Sequence, residues 1–101
     1  MQELTGRQKR HLRALGQRLT VMVSVGVEGD SDALVQQVGR LLAAHELIKV
    51  RLPAGTGTAR RQLAAQLADK ADALCAGVVG RTALLYRPNE GLPTDKRVSF
   101  D

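Results

Sequence analysis

Residues that support enzymatic chemistry or base stacking are scarce in this chain. Of its 101 residues only Tyr86 and Phe100 are aromatic, and it has one cysteine and two histidines. The aromatic platforms on which many single-strand nucleic-acid binders stack bases are therefore nearly absent. Since catalysis needs convergent acids, bases or nucleophiles, the same inventory predicts a protein that is not an enzyme and has no cofactor or metal.

Long apolar runs are missing as well. The sequence has no unbroken apolar run of about 18 residues and no leader in which charged, apolar and small residues follow one another. Neither membrane insertion nor export is indicated, and we expect a cytoplasmic protein. The single cysteine, Cys75, excludes a disulfide within the chain, and its place in an apolar helical pattern predicts a buried, inert thiol.

The composition is that of one globular domain with an uneven charge. Hydrophobic residues make up 44% of the chain, enough for one core built from Leu, Val, Ile and Ala. The net charge is +5, and residues 1–20 hold five cations against one acid, a local balance of +4. Those cations are Arg7, Lys9, Arg10, Arg13 and Arg18. Such a patch attracts polyanions; a basic helix face that is merely solvated is the alternative.

A glycine loop is the second candidate contact. An apolar run over residues 21–25 passes directly into Gly26-Val27-Glu28-Gly29, and an amphipathic stretch follows from Asp30. This order predicts a strand, a turn and a capped helix. Two glycines let a backbone approach a partner closely, and the N–H groups of a helix N-terminus suit a phosphate. The same glycines also occur where a turn simply needs them.

The spacing of apolar residues predicts seven elements. They are a helix over about 5–19 capped by Thr5, a strand over 21–25, a helix over about 31–44, a strand over 47–52, a helix from about 58 whose stripe runs to Cys75, and strands over 77–80 and 83–87. This αβαβαββ order predicts one α/β (α+β-like) domain over residues 1–88, with helices packed on a mixed four-stranded sheet. Residues 89–101 lack an apolar period and are predicted to form a flexible tail.

Strand alternation separates core residues from outward cations. In the strand over 47–52 it sends Lys49 and Arg51 outward, where they either meet a partner or form a solvated face, and Arg87 is expected outward as well. Tyr86 alternates with Leu84, which favours core packing over base stacking.

Three other patterns lack the residues that their chemistry requires. His45-Glu46 begins like a zinc-protease helix, but Lys49 stands where the second histidine belongs. Gly55-Thr56-Gly57-Thr58-Ala59-Arg60 begins like a dinucleotide fingerprint and has no third glycine. His11 is flanked by cations and fits a basic face better than a general base.

Three strings of this sequence resemble one family. They are Thr5-Gly6-Arg7-Gln8-Lys9-Arg10-His11-Leu12-Arg13, His45-Glu46-Leu47-Ile48-Lys49-Val50-Arg51, and Val79-Gly80-Arg81-Thr82-Ala83-Leu84-Leu85-Tyr86-Arg87-Pro88. Together they are similar to the CRM domain, named for chloroplast RNA splicing and ribosome maturation, in its small bacterial YhbY form. The resemblance covers residues from about 4 to 88.

The resemblance implies a fold related to the C-terminal domain of bacterial translation initiation factor three, with a GxxG loop comparable to that of KH domains. It also implies RNA binding in assembly of the large ribosomal subunit, with ribosomal RNA and precursor subunits, rather than a small molecule, as partners. By this reading Gly26 and Gly29 let the loop close on the RNA backbone, and the cations of the first helix add phosphate contacts.

Glu28 departs from the polar or basic residues that many relatives have in this loop. Its carboxylate would repel a phosphate, so we expect part of the binding on the first helix and on the strand cations. The candidate RNA-binding residues are Arg7, Lys9, Arg10, Arg13, Gly26, Val27, Glu28, Gly29, Lys49, Arg51, Arg81 and Arg87. The alternative is a protein-binding adaptor whose basic first helix docks an acidic partner.

Overall fold

The computed structural model describes residues 3–100, so residues 1, 2 and 101 of the predicted domain and tail lie outside the described part. In chain order the elements are α1 (Gly6–Gly16), β1 (Val23–Ser24), α2 (Asp32–His45), β2 (Leu47–Arg51), α3 (Gly57–Lys70), β3 (Leu74–Val79), β4 (Thr82–Tyr86) and a 3-10 helix, Thr94–Lys96. The predicted αβαβαββ order is confirmed. Within residues 3–100, none of the helices is both long and apolar enough to cross a membrane.

Each α-helix begins at a hydroxyl side chain that caps it. Thr5, Ser31 and Thr56 each accept a hydrogen bond from the backbone N–H three residues further on. At α1 the side chain of Gln8 also accepts from the backbone N–H of Thr5 at 2.9 Å, which completes a capping box. The predicted cap of α1 is confirmed.

The sequence predicts that the first helix runs to about Leu19, but in the structure it ends at Gly16. After Gly16 the backbone N–H groups of Arg18 and Leu19 donate to carbonyls three residues earlier, so the chain tightens into turns. Leu19 still packs against the core, as its place on the apolar stripe requires.

The four strands form one mixed sheet in the order β1-β2-β4-β3. Strand β1 is parallel to β2, and β4 is antiparallel to both β2 and β3, which confirms the predicted sheet and its terminal hairpin. The registers align Ser24, Arg51, Thr82 and Val79 in one row across the sheet. The GxxG loop, the turn between β3 and β4 and the chain after β2 all leave the sheet at this row.

One face of the sheet is closed by α2 and α3. Ile48, Val50 and Leu85 have no exposed surface there, and they pack with Val38 and Leu67 from the two helices. These aliphatic side chains form the larger core of the domain.

The opposite face is covered in part by α1. Leu12 of α1 packs on Leu47, Leu84 and Tyr86 of the sheet in a second, smaller core. Tyr86 is 7% exposed, so its predicted core role is confirmed. A Cβ at position 16 would lie 2.5 Å from a methyl carbon of Leu84, so only glycine lets α1 approach this closely.

The apolar stripe assigned to the third helix does not continue to Cys75. Helix α3 ends at Lys70, because Asp72 adopts a positive φ of 54° and the N–H of Ala73 returns to the carbonyl of Ala68. Cys75 therefore lies on β3, where it is half-buried, and burial raises the pKa of its thiol. The prediction of a helical position for Cys75 is wrong.

The segment after Pro88 lies against the domain. The buried carboxylate of Glu46 accepts hydrogen bonds from the backbone N–H groups of Asn89 and Val98 and from Nε of Arg97, the last at 3.0 Å. The ring of Phe100 meets that of Tyr86 edge to face, with centroids 5.8 Å apart. The segment predicted to be a tail thus has defined contacts, and its flexibility in solution stays a prediction.

Candidate nucleic-acid interface

Helix α1 turns its cations away from the core. Arg7, Lys9, Arg10 and Arg13 are all exposed, whereas Leu12 between them has no exposed surface. Because Lys9 and Arg13 are one turn apart, they share one flank of the helix and lie along β3. The predicted separation of a packing stripe from a basic stripe is confirmed.

The GxxG loop is an open turn at the end of β1. The N–H of Gly29 donates to the carbonyl of Gly26 at 3.0 Å, and Gly29 has a φ of +72°, a conformation that favours glycine. Among residues 3–100, a Cβ on Gly26 would meet no atom within 4 Å. Val27 between them is 99% exposed. Gly29 is thus explained by the turn, but no contact in the described part of the chain requires a glycine at position 26.

The acids of the loop differ in their environment. Glu28 is exposed, as expected from its place at the loop tip. Asp30, directly after the loop, forms an ion pair with Lys70 at 3.1 Å, and this hydrogen bond holds the pKa of its carboxyl below the ordinary value. Within the described chain no cation pairs with Glu28, so its charge in the loop is uncompensated there.

The two outward cations of β2 lie on the face that α1 covers. Lys49 is half-buried at the end of α1, where Nζ donates to the carbonyl of Gly16 at 3.3 Å. Arg51, two residues further, lies beyond the helix and is exposed. A lysine ammonium has three donors, so Lys49 has two further donors after this bond.

The hairpin turn adds one cation at the same end of the sheet. Arg81 is exposed, and its Nε donates to the carbonyl of Leu52 at 3.2 Å. That bond leaves the two terminal nitrogens of the guanidinium for a partner. Arg13 and Lys49 line one cavity, Arg51 follows Lys49 on the same face of β2, and Arg81 lies in the turn just beyond the row that contains Arg51.

Arg87 does not join them. Its two terminal nitrogens donate to the carbonyl of Ala71 at 2.7 Å and to the carbonyl of Gly39 at 2.9 Å, which ties α2 to the end of α3. The prediction that Arg87 points outward is wrong, because the partners of this side chain lie far away in sequence.

Other candidate chemistry does not converge here. Among residues 3–100 no group of three His, Cys, Asp or Glu side chains could hold a metal ion. The first turn of α3 carries Arg60 and Arg61, and these side chains bond to the carbonyl of Gly55 and the hydroxyl of Thr58 in their own loop. His11 contacts the carbonyl of Ser99 rather than an acid or a nucleophile.

A comparison with known protein families shows which family this chain belongs to. Residues 4–87 match the CRS1 / YhbY (CRM) domain. The chain belongs to this family. It is 40% identical over 91 residues to a "Probable RNA-binding protein" of Methanocaldococcus jannaschii, a match that covers 88% of this chain and 67% of that protein. It is 32% identical over 87 residues to "Probable RNA-binding protein YqeI" of Bacillus subtilis, covering 86% of this chain and 91% of that protein.

The fold of this CRM domain also resembles a solved structure. The solution structure of a hypothetical protein from Staphylococcus aureus superimposes with a TM-score of 0.79 at 26% sequence identity. The match covers 94% of this chain and 97% of that one. The resemblance read from three sequence strings is therefore confirmed for both family and fold.

Sequence reasoning missed several residues that shape the candidate interface of this CRM domain. Gln17 and Thr82 line a cavity with Arg13 and Lys49, and Gly77 forms part of its wall. Gly77 follows a bulge in β3, which hydrophobic periodicity does not register. A polar residue beside a basic stripe is the only sequence signal that Gln17 offers.

Proposed function

We propose that this protein binds structured ribosomal RNA by phosphate contacts, without catalysing a reaction, and acts in assembly or maturation of the large ribosomal subunit. The observation that carries the proposal is the meeting of exposed cations from α1, β2 and the β3–β4 turn beside an open glycine loop. The names of the relatives from Methanocaldococcus jannaschii and Bacillus subtilis support RNA as the class of partner.

The exposed face of α1 and the glycine loop suit phosphates better than bases. Arg7 and Arg10 present charge on an exposed helix, where they would meet the RNA backbone without reading its sequence. Gly26, which needs no side chain for packing, would let a second stretch of backbone approach the loop. Binding of this kind releases counterions and weakens steeply as the salt concentration rises.

The location of the protein follows from this proposal. A factor that acts on precursor subunits works in the cytoplasm, bound to those particles. Sedimentation of a cell lysate is expected to find it with precursor large subunits, and nuclease treatment or high salt is expected to release it. Association that survives both treatments would favour the protein-binding adaptor instead.

Affinity for RNA at two salt concentrations tests the proposal directly. The purified protein is titrated with a structured ribosomal RNA fragment and with a DNA duplex of equal length. We expect tighter binding to the RNA fragment and weaker binding to both at higher salt, because A-form shape and phosphates carry the recognition. Equal affinity for RNA and DNA, or no binding, would contradict the proposal.

A matched pair of charge reversals locates the interface. Arg7→Glu with Arg10→Glu changes the basic face of α1, and Arg40→Glu with Arg61→Glu makes the same change of charge on exposed positions of α2 and α3. The first pair should lower RNA affinity much more than the second. Equal losses would mean that net charge alone, rather than this face, attracts the RNA.

A further inference from the structure

A cavity separates the end of α1 from the part of the sheet that α1 leaves uncovered. Its volume is about 240 Å³, it is open to solvent, and it is lined by Arg13 of α1, by Gln17 directly after α1 and by Lys49 of β2. Leu84 and Thr82 of β4 are also among the lining residues. Sites for drug-sized ligands run from roughly 300 to 1,000 Å³, so this cavity suits one planar group rather than a larger molecule.

The backbone around the cavity has a specific shape. A bulge between Cys75 and Gly77 shifts the pairing of β3 with β4, and Gly77 lies beneath the side chain of Arg13. A Cβ at position 77 would be 3.0 Å from Cδ of Arg13. Glycine therefore leaves room for the arginine stem, and Gly16 does the same for the contact between α1 and Leu84. Two glycines and a bulge thus fix the wall that carries Arg13.

The polar groups at the opening are free to bind. Among residues 3–100, the guanidinium of Arg13 and the side-chain amide of Gln17 have no hydrogen-bond partner, and Arg13 is exposed. Lys49 uses one of its three donors on the carbonyl of Gly16. Arg51 follows on the same face of β2 and is exposed.

These groups differ in the chemistry that they offer. A guanidinium plane stacks on a base, a side-chain amide both donates to and accepts from a base edge, and an ammonium binds a phosphate. A base inside a duplex cannot reach a recessed site, because its faces are covered by its neighbours in the stack. A base that is splayed out of an RNA loop or bulge has both a free face and free edges.

We propose that this cavity takes one unpaired nucleotide of the bound RNA, with the base against Arg13 and Gln17 and the phosphate on Lys49 and Arg51. The inference rests on the proposed function, since it takes RNA as the partner. It adds that the protein selects RNA with an unstacked nucleotide over uniform duplex.

Two blunt-ended RNA duplexes of the same sequence test it, one fully paired and one with a single bulged nucleotide. At fixed salt the protein should bind the bulged duplex about tenfold more tightly, the effect of one stacked base. Equal affinity for the two duplexes would overturn the inference and leave the proposed function standing. Binding to neither duplex would count against the proposed function and therefore against both.

Substitutions at the cavity separate stacking from charge. Arg13→Lys keeps the charge and loses the flat guanidinium, so it should weaken binding to the bulged duplex more than binding to the paired duplex and remove most of the preference for the bulge. Val79→Phe fills the cavity from a position that is 65% exposed, so the fold should tolerate it, and Val79→Thr is its control of similar size. A preference that survives both Arg13→Lys and Val79→Phe would overturn the inference.

Discussion

The two faces of the sheet are built from the same strands but differ in burial and in charge. On β2, Ile48 and Val50 point to the face closed by α2 and α3 and have no exposed surface. Lys49 and Arg51, which alternate with them, point to the face that α1 partly covers. The period of two along a strand makes this division. The larger core lies on one face, and the candidate binding groups lie on the other.

The difference follows from how much each face is covered. Two 14-residue helices close the first face, and one 11-residue helix lies on the second. Since α1 stops at Gly16, the row that contains Arg51 and Thr82 stays open beyond it. A short helix therefore creates an open surface by leaving part of the sheet uncovered.

Truncation of neighbouring leucines on β4 should reveal the largest difference between the faces. Leu85 has no exposed surface and packs in the larger core, so Leu85→Ala should lower the free energy of unfolding by about 2–5 kcal/mol. Leu84 faces the α1 side and lines an open cavity, so Leu84→Ala should cost less. Urea unfolding measures both variants. Equal losses would mean that the α1 face contributes as much to stability as the closed face.

Glu46 is expected to be the most important polar residue for the α1 side. Glu46→Ala leaves the N–H groups of Asn89 and Val98 without an acceptor, so it should lower the free energy of unfolding by about 2–3 kcal/mol. Asp30→Asn breaks the more exposed pair with Lys70 and should change stability little. Urea unfolding at neutral pH compares the two variants, and a similar effect would contradict the role given to Glu46.

The same carboxylate predicts a loss of stability in acid. Burial raises the pKa of Glu46, but hydrogen bonds from Asn89, Val98 and Arg97 outweigh it and hold the pKa below the ordinary value of 4.5. Its contribution is therefore complete above about 4.5 and is lost as the pH falls through the lower pKa of the folded state. Unfolding measured from neutral pH into this range should show a smaller acid loss in Glu46→Gln than in the wild type.

Removing cations from β2 should affect binding rather than stability. Lys49→Met with Arg51→Met keeps the aliphatic stems and removes two charges, so RNA affinity should fall. The negative slope of log K against log salt should become shallower by about two. Arg40→Met with Arg61→Met is the control on the other helices. If the two pairs have equal slopes, the sheet is not part of the interface.

Much of this molecule was predictable from the sequence because its helices and strands follow clear periods. The error at Cys75 has a specific cause. Leu74 and Cys75 continue the helical spacing of Leu67 and Ala71, and the residue that ends the helix is Asp72, not a glycine that would signal the left-handed turn. A local pattern cannot distinguish such a stop from an ordinary exposed acid.

The candidate site was harder to predict because long-range contacts decide which cations are free. Arg87 and Arg51 look alike in an alternating strand, yet Arg87 meets carbonyls of α2 and of the end of α3, and Arg51 meets solvent. Glu46 likewise finds its partners 43 to 52 residues away. Periodicity gives the face of a residue but not what later parts of the chain place against it.

The two glycines of the loop should separate stability from binding. Gly29→Ala puts a side chain at a φ of +72° and should lower the free energy of unfolding by about 1 kcal/mol. Gly26→Ala adds a methyl group to open space, so it should leave stability unchanged and weaken RNA binding. Thermal unfolding and RNA titration of both variants check this. Unchanged RNA affinity in Gly26→Ala would remove the loop from the interface.

The smallest expected effect is a gain in RNA affinity. Glu28 is exposed at the tip of the loop and has no cation paired with it among residues 3–100. Two exposed charges a few ångströms apart in water interact by about 1 kcal/mol, so Glu28→Gln should tighten RNA binding by about fivefold at low salt. Screening should remove the gain at high salt. Glu28→Gln changes neither the glycines nor the turn, so a gain in RNA affinity would mean that phosphates come close to the loop. No gain at any salt concentration would mean that RNA is held by α1 and the sheet alone.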